Sequence, residues 1–508
     1  MKVKFANNIP TVGEIAELCG GKLIGEGSKS VQSVCTDSRE AEFGTMFIAI
    51  VGERVDGHIF IEQVRKAGAV CALCSRIPEG SDGFPIILVE DTVKALGRLG
   101  AAYSKNCRAR RVGVTGSVGK TTTKEFIASV LATAGKVWKT EGNFNSTVGL
   151  PMSLLTLPED ADYAVLEMGM TGPGEIKLLS DIASPEIGVI TTIGTAHMEL
   201  LGSRENIAKA KLEIKSSLAE NGHLLLCGNE PLLADEGKKD PRVSYFSADA
   251  QNIEYYAYNI SNYEGGMTFD ASCLGNHLYD LEIPAIGKHN VAAALAGIAV
   301  GFMMGLDEER IRRGILAYRS VGLRQQMTDV GGVRIISDCY NASPESMRAA
   351  ASVLTSVASH RNGKTVALLG DMLELGASSA ELHYSVGKYF ADSGVDRLVS
   401  FGERAEKIAD GFASVKGEDC VSRFPTEAMQ RLLLVRLRKS LKRATRLFSR
   451  RAALSPQKEL RQSLKIYFNF CLRKGICYEG TDADGIFSLD SRSFPAHLAD
   501  SAQAYPRA

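Results

Sequence analysis

The chain has 508 residues, which is enough for about three domains of ordinary size. It carries 59 basic and 59 acidic residues, so its net charge provides no overall attraction to nucleic acid or to an anionic membrane surface. No apolar run is long enough to span a bilayer, and the N-terminus lacks the apolar core of a signal peptide. We therefore expect a cytoplasmic, globular protein with no nucleic-acid partner and no stable membrane insertion. We also expect a monomer, although these features do not bear on the oligomeric state.

The 11 cysteines are spread along the chain without regular spacing, which is typical of a protein from a reducing compartment. Cys71 and Cys74 form one C-x-x-C pair, but no second pair or neighbouring histidine completes a zinc site. The pair falls in an apolar run that predicts a buried strand. Two core thiols are therefore the favoured interpretation.

Residues 1–107 alternate short β-rich runs with helix patterns and form the first predicted domain. Thr11 and Glu14 have the spacing of a capping box, which predicts the start of a helix. Two polar turns follow predicted strands, where ligand contacts often cluster. Their candidate residues are Ser38, Arg39, Asp56, Gly57 and His58. From spacing alone, ordinary turn chemistry is the favoured interpretation of these residues.

The second predicted domain, residues 108–318, alternates strands and helices like a doubly wound α/β fold with a parallel sheet. Near its start, an apolar strand runs into a glycine-containing turn that is followed by a helix pattern. Glycines let backbone N–H groups approach a polyphosphate, and the helix N-terminus adds further donors. The residues of this predicted phosphate loop are Thr115, Gly116, Ser117, Val118, Gly119, Lys120, Thr121 and Thr122.

Two side chains of the phosphate loop have predicted roles. Lys120 can reach the terminal phosphates of a nucleotide, and the hydroxyl of Thr121 can bind Mg²⁺. The match is imperfect, because Val114 stands where the strict pattern has its first glycine. A glycine turn without a ligand is the alternative. The Gly-Lys-Thr sequence between a strand and a helix favours a nucleoside triphosphate site.

Other polar residues follow the remaining strands of this domain, at the edge where such sheets bind ligands. One polar turn supplies Asn143, Asn145 and Ser146. Glu167 ends an apolar strand, where a phosphate-loop enzyme places the acid that holds its metal. A salt-bridged core acid is the weaker alternative. His197 follows the next strand, and from its position alone a metal ligand and a packed histidine remain equal alternatives.

The helix after His197 carries Lys209, Lys211 and Lys215, a pattern that is typical of a solvated face. Asn290 lies at the start of an alanine-rich helix that we expect to pack tightly.

The third predicted domain, residues 319–430, is a second, Rossmann-like α/β unit. Arg324 lies at its start. A predicted strand over Val333–Ser337 then leads into a polar turn that contains Asp338, Tyr340 and Asn341.

Taken together, these motifs resemble those of the ATP-dependent Mur ligases of peptidoglycan precursor synthesis, over residues 1 to about 425. The resemblance rests on the segments TGSVGKTTTKE (115–125), EGNFNSTVGLP (141–151), LEMGM (166–170), GTAHMELLGSRENIAKAKLEI (194–214), GKHN (287–290), DCYNASPESM (338–347) and LGDMLELG (369–376). The form YNASPESM is most similar to that of the members that add D-alanyl-D-alanine. The tripeptide-forming members would instead show a His-Thr-Pro form and an Asp-Asn-Pro-Arg box. Ser146 departs from the family, which commonly has a second Asn there.

The resemblance implies three domains: an N-terminal uridine-nucleotide-binding α/β domain, a central P-loop ATPase-like domain and a C-terminal Rossmann-like domain. It implies that the carboxylate of a UDP-N-acetylmuramoyl-tripeptide attacks ATP to give an acyl phosphate. The amine of D-alanyl-D-alanine then displaces phosphate and forms the amide. ATP and Mg²⁺ are the implied cofactors.

The resemblance also implies roles for individual residues. Lys120 would hold the β- and γ-phosphates, Thr121 and Glu167 would bind one Mg²⁺, and His197 would bind a second. Lys211 would be carbamylated and so become an oxygen ligand near the metal. The implied nucleotide contacts of the later segments are Asn290, Arg324, Asp338, Tyr340 and Asn341. The implied substrate contacts are Ser38, Arg39, Asp56, Gly57, His58, Asn143, Asn145 and Ser146.

Two other functions share part of this pattern. A different ligase of the same superfamily, either tripeptide-forming or like folylpolyglutamate synthetase, would share the ATP-binding half. A nucleotide-dependent switch protein would share the phosphate loop. Glu167, His197 and a whole third domain argue against a switch, because simple hydrolysis needs neither a second metal nor a further domain that encloses a substrate.

The tail, residues 431–508, departs from the family. The segment 431–451 is dense in Arg and Lys and contains no acid, so it could form a basic amphipathic helix at an anionic membrane. We favour a reading-frame shift near residues 430–440 of the gene or its sequencing. In that case residues beyond about 435 have no selected structure, and the third domain lacks its closing strand and helix.

Overall fold

The computed structural model describes residues 1–322, 324–330, 333–361, 363–425 and 476–480. The basic segment 431–451, which the sequence analysis singled out, lies outside these described residues. Three sheets follow one another along the chain, each covered by helices. The predicted class of α/β fold with three units is confirmed.

The first sheet has six strands. Its elements are β1 (Lys2–Lys4), α1 (Val12–Cys19), β2 (Lys22–Ile24), β3 (Ser33–Cys35), β4 (Thr45–Ile48), α2 (Ile61–Lys66), β5 (Cys71–Cys74), β6 (Ile86–Leu88) and α3 (Thr92–Ser104). The strand order is β1-β3-β4-β5-β6-β2, with β3 to β6 parallel and both edge strands antiparallel to their neighbours. Thr11 and Glu14 form the predicted capping box of α1. Cys71 and Cys74 are buried in β5, and burial raises the pKa of both thiols, as expected for core residues.

The second sheet has nine strands. Its first elements are β7 (Arg110–Thr115), α4 (Lys120–Leu131), β8 (Val137–Lys139), α5 (Gly149–Leu154), β9 (Tyr163–Glu167), α6 (Glu175–Ala183), β10 (Ile187–Ile190), α7 (Met198–Leu201) and α8 (Arg204–Leu212). The later elements are β11 (His223–Cys227), α9 (Glu236–Lys239), β12 (Val243–Ser247), β13 (Tyr255–Tyr263), β14 (Gly266–Cys273), β15 (Asn276–Ile283), α10 (Lys288–Met303) and α11 (Glu308–Leu316). The strand order is β15-β14-β13-β12-β11-β10-β7-β9-β8.

The parallel sheet predicted for this domain holds only from β8 to β13, because β13, β14 and β15 form antiparallel hairpins. Short turns containing Gly265 and Gly275 reverse the chain between these strands. One face of the hairpins packs into the core through Phe269 and Leu281, while alternate residues face outward. The predicted parallel sheet is therefore extended at this edge by antiparallel strands that the sequence analysis did not foresee.

The helix that follows the phosphate loop, α4, is tightly packed against α10 and α11. Phe126 and Val130 of α4 are fully buried, and the alanine-rich α10 is buried along most of its length, as expected. In α11, a Cβ at Gly314 would lie 2.4 Å from the Cα of Val130. Only glycine permits this approach of the two backbones, so the position of α4 is fixed by backbone packing.

The third sheet has six strands. Its elements are β16 (Gln326–Val330), β17 (Val333–Ser337), α12 (Pro344–Ser359), β18 (Lys364–Gly370), α13 (Ser379–Asp392), β19 (Arg397–Phe401), α14 (Glu406–Lys416), β20 (Val421–Phe424) and β21 (Ile476–Gly480). The strand order is β16-β17-β21-β18-β19-β20. The predicted strand over Val333–Ser337 matches β17.

The tail contributes one strand to this sheet, which the sequence analysis did not expect. β21 lies between β17 and β18 and runs antiparallel to both. The physical reason is pairing, since β17 and β18 would otherwise each present an unpaired row of backbone groups in the middle of the sheet. Among the helices of the described residues, none is both long enough and apolar enough to cross a membrane.

Candidate active site

Three strand ends meet at one edge of the central sheet. In the parallel register, Val114 of β7 pairs with Glu167 of β9, and Thr115 pairs with Ile190 of β10. The segments that follow these strands are the phosphate loop, the Glu167 turn and the loop that leads to His197. Parallel strands bring their carboxyl ends to the same edge, so three predicted motifs come together as expected.

The phosphate loop is held against the end of β10 by two threonines that the sequence analysis missed. The backbone N–H of Ser117 donates to the carbonyl of Thr192 at 2.9 Å, and that of Val118 donates to Thr192 Oγ1 at 3.1 Å. Thr191 Oγ1 in turn donates to the carbonyl of Val118 at 2.6 Å. These bonds fix the loop before the first turn of α4.

Lys120 and Ser117 carry the polar groups of the loop. Lys120 Nζ donates to the carbonyl of Gly116 at 2.8 Å. Burial lowers the pKa of Lys120, while the negative charge of Glu167 opposes that shift. The hydroxyl of Ser117 is buried and has no hydrogen-bond partner among the described residues. A buried, unsatisfied hydroxyl next to a partly buried ammonium that lines the cavity suits an anionic ligand such as a phosphate.

The carboxylate of Glu167 is 3% exposed and each of its oxygens has a partner. Thr121 Oγ1 donates to Oε2 at 2.9 Å, and Asn145 Nδ2 donates to Oε1 at 2.8 Å. The backbone N–H of Glu167 donates to Thr140 Oγ1 at 2.9 Å. Thr121 and Glu167 thus present a hydroxyl and a carboxylate at one point, the hard oxygen ligands that Mg²⁺ prefers.

No cluster of three or more His, Cys, Asp or Glu residues suited to a metal occurs within the described ranges. A pair of oxygen ligands is nevertheless what Mg²⁺ usually takes from a nucleotide enzyme, because phosphates and water fill its remaining positions. The Thr121–Glu167 pair therefore fits a nucleotide-bound Mg²⁺.

Lys124 lies behind Glu167 and was not among the predicted site residues. Its ammonium is 3.6 Å from Glu167 Oε2 and 3.4 Å from Glu125 Oε1, and it donates to the carbonyl of Thr140 at 2.7 Å. Lys124 is 1% exposed. A lysine four residues after Lys120 points to the same side of the helix, and this spacing was the available signal.

His197 precedes α7 and has a left-handed backbone with φ 64°. Its Nδ1 lies 2.7 Å from Oε2 of Glu374, which belongs to the third unit. Burial lowers the pKa of His197, Glu374 opposes that shift, and the charges of Lys211 and Lys120 add to it. The positive charges of Lys120 and Lys211 therefore both act on the protonation of this histidine.

Lys211 is 2% exposed, and within the described part of the chain its ammonium has no hydrogen-bond or ion-pair partner. Burial lowers its pKa well below the ordinary value, and the charge of Lys120 adds to this. Lys209 is exposed on the same helix. Lys215 is partly buried and lies 3.2 Å from Asp240. Of the three predicted lysines, only Lys211 is a buried amine without a partner.

A cavity of about 570 Å³ lies between the central unit and the third. Eleven of the predicted ATP-binding residues line it: Ser117, Val118, Gly119, Lys120, Thr121, Thr122, Asn290, Arg324, Asp338, Tyr340 and Asn341. Glu167 and Asn145 line it as well, while Thr115 and Gly116 do not. His197 and Lys211 lie outside the lining, although Ala196 is part of it.

The third unit supplies one wall of this cavity. The guanidinium carbon of Arg324 lies 4.2 Å from the ring centroid of Tyr340, a cation–π distance. Burial raises the pKa of Asp338 to about 6, with Arg324 opposing the shift. Arg324 and Asp338 therefore bring opposite charges to the wall that faces the phosphate loop.

Asn290 is 3% exposed and links the central unit to this wall. Its Nδ2 donates to the carbonyl of Ile286 at 2.8 Å and to Gln325 Oε1 at 2.9 Å. Gln325 Nε2 lies 2.6 Å from Nε2 of His289, and burial lowers the pKa of His289 to about 4. Gln325 and His289 both line the cavity and were missed. His289 lies in the segment GKHN, from which only Asn290 was singled out, and Gln325 belongs to none of the motifs.

The predicted substrate residues of the first unit do not reach this cavity. Arg39 pairs with Asp37, which caps the short turn Ser38–Glu40. Asp56 caps the turn Gly57–Phe60 and pairs with Arg76 at 2.6 Å.

His58 is buried in the same turn, and its ring is held from both sides. Nε2 accepts a hydrogen bond from the N–H of Ser75 at 2.9 Å, so the proton is on Nδ1, which lies 2.6 Å from Asp56 Oδ1.

Of the three predicted residues in the polar turn before α5, Asn145 reaches Glu167. Asn143 and Ser146 are exposed, and Ser146 Oγ accepts from the N–H of Gly149.

Comparison with known proteins gives matches along most of the chain. The description "Mur ligase family, catalytic domain" matches residues 30–104, "Mur ligase middle domain" matches 114–301, and "Mur ligase, glutamate ligase domain" matches 323–440. The chain is 41% identical over 419 residues to the UDP-N-acetylmuramoyl-tripeptide–D-alanyl-D-alanine ligase of Bacillus subtilis strain 168, covering 82% of this chain and 90% of that protein.

Among the solved structures that match are two that each cover more than four fifths of this chain. A crystal structure of MurF from Acinetobacter baumannii matches with a TM-score of 0.77 and 31% identity, covering 86% of this chain and 94% of that chain. The structure of MurF ligase from Thermotoga maritima in complex with ADP matches with a TM-score of 0.68 and 28% identity, covering 82% and 98%.

Proposed function

The chain belongs to the Mur ligase family, and we propose that it joins D-alanyl-D-alanine to a UDP-N-acetylmuramoyl-tripeptide at the expense of ATP. One observation carries this proposal. The phosphate loop, the Thr121–Glu167 pair and the charged wall of Arg324 and Asp338 share a single cavity. The reaction would complete the pentapeptide of a peptidoglycan precursor.

The chemistry explains why a ligase needs this arrangement. A carboxylate is a poor acyl donor in water, since its leaving group would be oxide. Transfer of the γ-phosphoryl group of ATP to the tripeptide carboxylate gives an acyl phosphate, whose leaving group is phosphate. The amine of D-alanyl-D-alanine then attacks the carbonyl carbon, and phosphate leaves as the amide forms. Catalysis is mostly positioning and charge neutralisation.

The phosphate loop supplies the neutralising charge. We assign the β- and γ-phosphates to the N–H groups of residues 119–121 and to the ammonium of Lys120. The unsatisfied hydroxyl of Ser117 supports a phosphate contact at this place. We assign the adenine to the neighbourhood of Asn290, which lines the same cavity.

We assign one Mg²⁺ to Thr121 and Glu167, and a second to His197 and Lys211. Bound Mg²⁺ would neutralise phosphate charge and hold the phosphoryl group toward the attacking carboxylate. The oxygen pair at Glu167 supports the first assignment. For the second, a bare ammonium at Lys211 would repel a cation, whereas a carbamate would supply an oxygen ligand.

The state of Lys211 supports carbamylation. Carbon dioxide reacts with a neutral amine, and burial lowers the pKa of this amine so that more of it is neutral near pH 7. The amine also has no competing partner within the described residues. The structure thus offers the chemical conditions that a carbamate needs.

The third unit would complete the site around the nucleotide. Arg324, Asp338, Tyr340 and Asn341 line the cavity from that side. A closed cavity excludes water, which would otherwise hydrolyse the acyl phosphate. We assign the uridine end of the substrate to the first unit, with Ser38, Arg39, Asp56, Gly57 and His58 as candidate contacts. Asn143, Asn145 and Ser146 are the candidates next to the central sheet.

A coupled ADP-release assay tests the proposal. ATP, a UDP-N-acetylmuramoyl-tripeptide and D-alanyl-D-alanine are each omitted in turn, and the peptide product is identified by mass spectrometry. We expect ADP release that requires all three substrates. Ligation of diaminopimelate, lysine or glutamate in place of D-alanyl-D-alanine would identify another ligase of the superfamily. ATP hydrolysis that is independent of any added amine would contradict the ligase function.

A further inference from the structure

Two carboxylates of the third unit contact the loop that leads to His197. Glu345, in the first turn of α12, accepts hydrogen bonds from the backbone N–H of Thr195 at 3.0 Å and from Thr195 Oγ1 at 3.1 Å. Glu374, in the segment after β18, places Oε2 2.7 Å from Nδ1 of His197. Its carbonyl oxygen also accepts from the N–H of Glu199 at 3.2 Å. The loop is therefore held at three successive points by the third unit.

Gly194 makes room for the first of these contacts. A Cβ at this position would lie 2.9–3.1 Å from the carboxyl atoms of Glu345. Any larger residue would push the carboxylate away from Thr195 or displace the loop. The approach of Glu345 to the backbone of this loop thus depends on glycine at position 194.

The second contact joins two residues with unusual backbones. His197 has φ 64° and Glu374 has φ 63°, and both are in the left-handed region that residues with a Cβ rarely adopt. Such a conformation costs about 1 kcal/mol or more, so the surrounding contacts must hold it. Strained backbone conformations cluster at functional sites, so strain on both sides of this contact points to a functional role.

We propose that Glu345 and Glu374 form a clamp through which docking of the third unit positions His197, with Glu374 as a positioning residue. Glu374 Oε2 lies at ion-pair distance from Nδ1, without the angles of a hydrogen bond, so Nε2 is the ring nitrogen left to bind a metal. A carboxylate on the second nitrogen fixes the orientation and tautomer of a ligating histidine. Docking of the third unit and assembly of the His197 side of the site are then one event.

The inference rests on the proposed function for the metal role of His197. The alternative is an ordinary surface ion pair, because the side chain of Glu374 is 58% exposed and exposed pairs contribute little to stability. The two interpretations differ in what removal of the carboxylate changes. A surface pair changes neither the loop nor the metal affinity, whereas a clamp changes both.

Hydrogen exchange of the full-length protein, measured by mass spectrometry, tests the clamp. In Glu345→Ala we expect the amide of Thr195 to exchange at least about tenfold faster. In Glu374→Ala we expect faster exchange at Glu199, although the carbonyl that accepts its hydrogen bond is still present. That result would report looser docking rather than the loss of one acceptor. Glu381→Ala, at an exposed position of the same unit, is the matched control and should match the wild type.

Binding of Mn²⁺ in the presence of a non-hydrolysable ATP analogue, followed by electron paramagnetic resonance, tests the positioning role. Loss of a carboxylate behind a ligating histidine typically weakens metal binding about tenfold or more, so we expect this in Glu374→Ala. Glu374→Gln keeps an amide oxygen within reach of Nδ1 and should stay within about threefold of the wild type. Glu381→Ala should again have no effect.

The outcomes separate the clamp from the proposed function. Wild-type exchange and wild-type Mn²⁺ affinity in Glu374→Ala would overturn the clamp. Faster exchange with unchanged Mn²⁺ affinity would overturn the positioning role of Glu374. If both variants behave as expected but the wild-type protein ligates no amine, the clamp is supported and the proposed function is overturned.

Discussion

Lys124 Nζ lies 3.6 Å from Glu167 Oε2, and both side chains are almost completely buried. The same ammonium is 3.4 Å from Glu125 Oε1 and donates to the carbonyl of Thr140. One lysine therefore compensates two buried carboxylates and ties the acid proposed to bind Mg²⁺ to the neighbouring strand end.

Lys124→Met should destabilise the protein strongly. Removal of one partner of a buried charge pair typically costs about 3–5 kcal/mol, because the remaining charge stays buried. Lys139→Met is the matched control, since Lys139 contacts the same Glu125 with a side chain that is 39% exposed, and it should cost about 1 kcal/mol or less. Urea unfolding measures both variants. Equal losses of unfolding free energy in the two variants would show that the buried Lys124 stabilises the site no more than the exposed Lys139 does.

Lys120→Ala should abolish ligation and leave the fold intact. Loss of one electrostatic contact to the transferring group typically lowers kcat by about a hundredfold or more. The side chain bonds only to carbonyls of its own loop within the described residues, so the urea midpoint should change little. Steady-state ADP release together with unfolding curves provides the measurement. A well-folded variant with near-normal activity would remove Lys120 from the mechanism.

Lys211→Ala should be nearly inactive and should recover part of its activity when small carboxylates such as formate or acetate are added. A diffusing carboxylate can occupy the place of the missing carbamate and supply its oxygen. Lys209→Ala is the control, because Lys209 is exposed on the same helix and should remain fully active. Full activity of Lys211→Ala without any additive would exclude a carbamate from the reaction.

The local motifs of the central unit were predictable from sequence because they depend on neighbours in the chain. The phosphate loop, Glu167 at the end of β9 and the capping box of α1 are of this kind. The side chain of Asn145 was placed near the site, although its bond to Glu167 was not foreseen.

Contacts between distant segments could not be predicted in this way. Glu345 and Glu374 contact the His197 loop although they lie at least 150 residues later in the sequence. No local sequence pattern encodes a contact between such distant segments. The antiparallel edge from β13 to β15 was missed for a different reason. Its alternating strands follow a long run of β–α units, and that run suggested more parallel strands.

Asp338 should make stability depend on pH. Its pKa rises from 3.8 to about 6 on burial, so the folded protein binds this proton more tightly than the unfolded chain does. Its stabilising contribution is complete below about pH 4 and is lost as the pH rises through 6. The free energy of unfolding of Asp338→Asn, minus that of the wild type, should therefore rise by on the order of 2 kcal/mol from pH 4 to above 6.

The control for this measurement is Asp392→Asn, at an exposed position of α13. Chemical denaturation at a series of pH values gives the difference for each variant. A flat difference for Asp338→Asn across this range would contradict the raised pKa.

The tail can be tested by two deletions. Removal of 476–508 takes away β21 and leaves the facing edges of β17 and β18 unpaired, whereas removal of 481–508 keeps the strand. Each ladder hydrogen bond contributes about 1 kcal/mol, so only the longer deletion should lower the stability of the third unit and reduce ligation. Equal behaviour of the two deletions would favour the reading-frame shift. Resequencing of the locus gives an independent answer.

The close approach of Gly314 to Val130 has a consequence for the heat of nucleotide binding. Since α4 is held by backbone packing, the phosphate cradle exists before the nucleotide arrives. Binding to a preformed cradle buries little new apolar surface and should show a small change in heat capacity. A larger change should accompany movement of the third unit toward the nucleotide. In a calorimeter, binding and closure would then separate as two events with different temperature dependence.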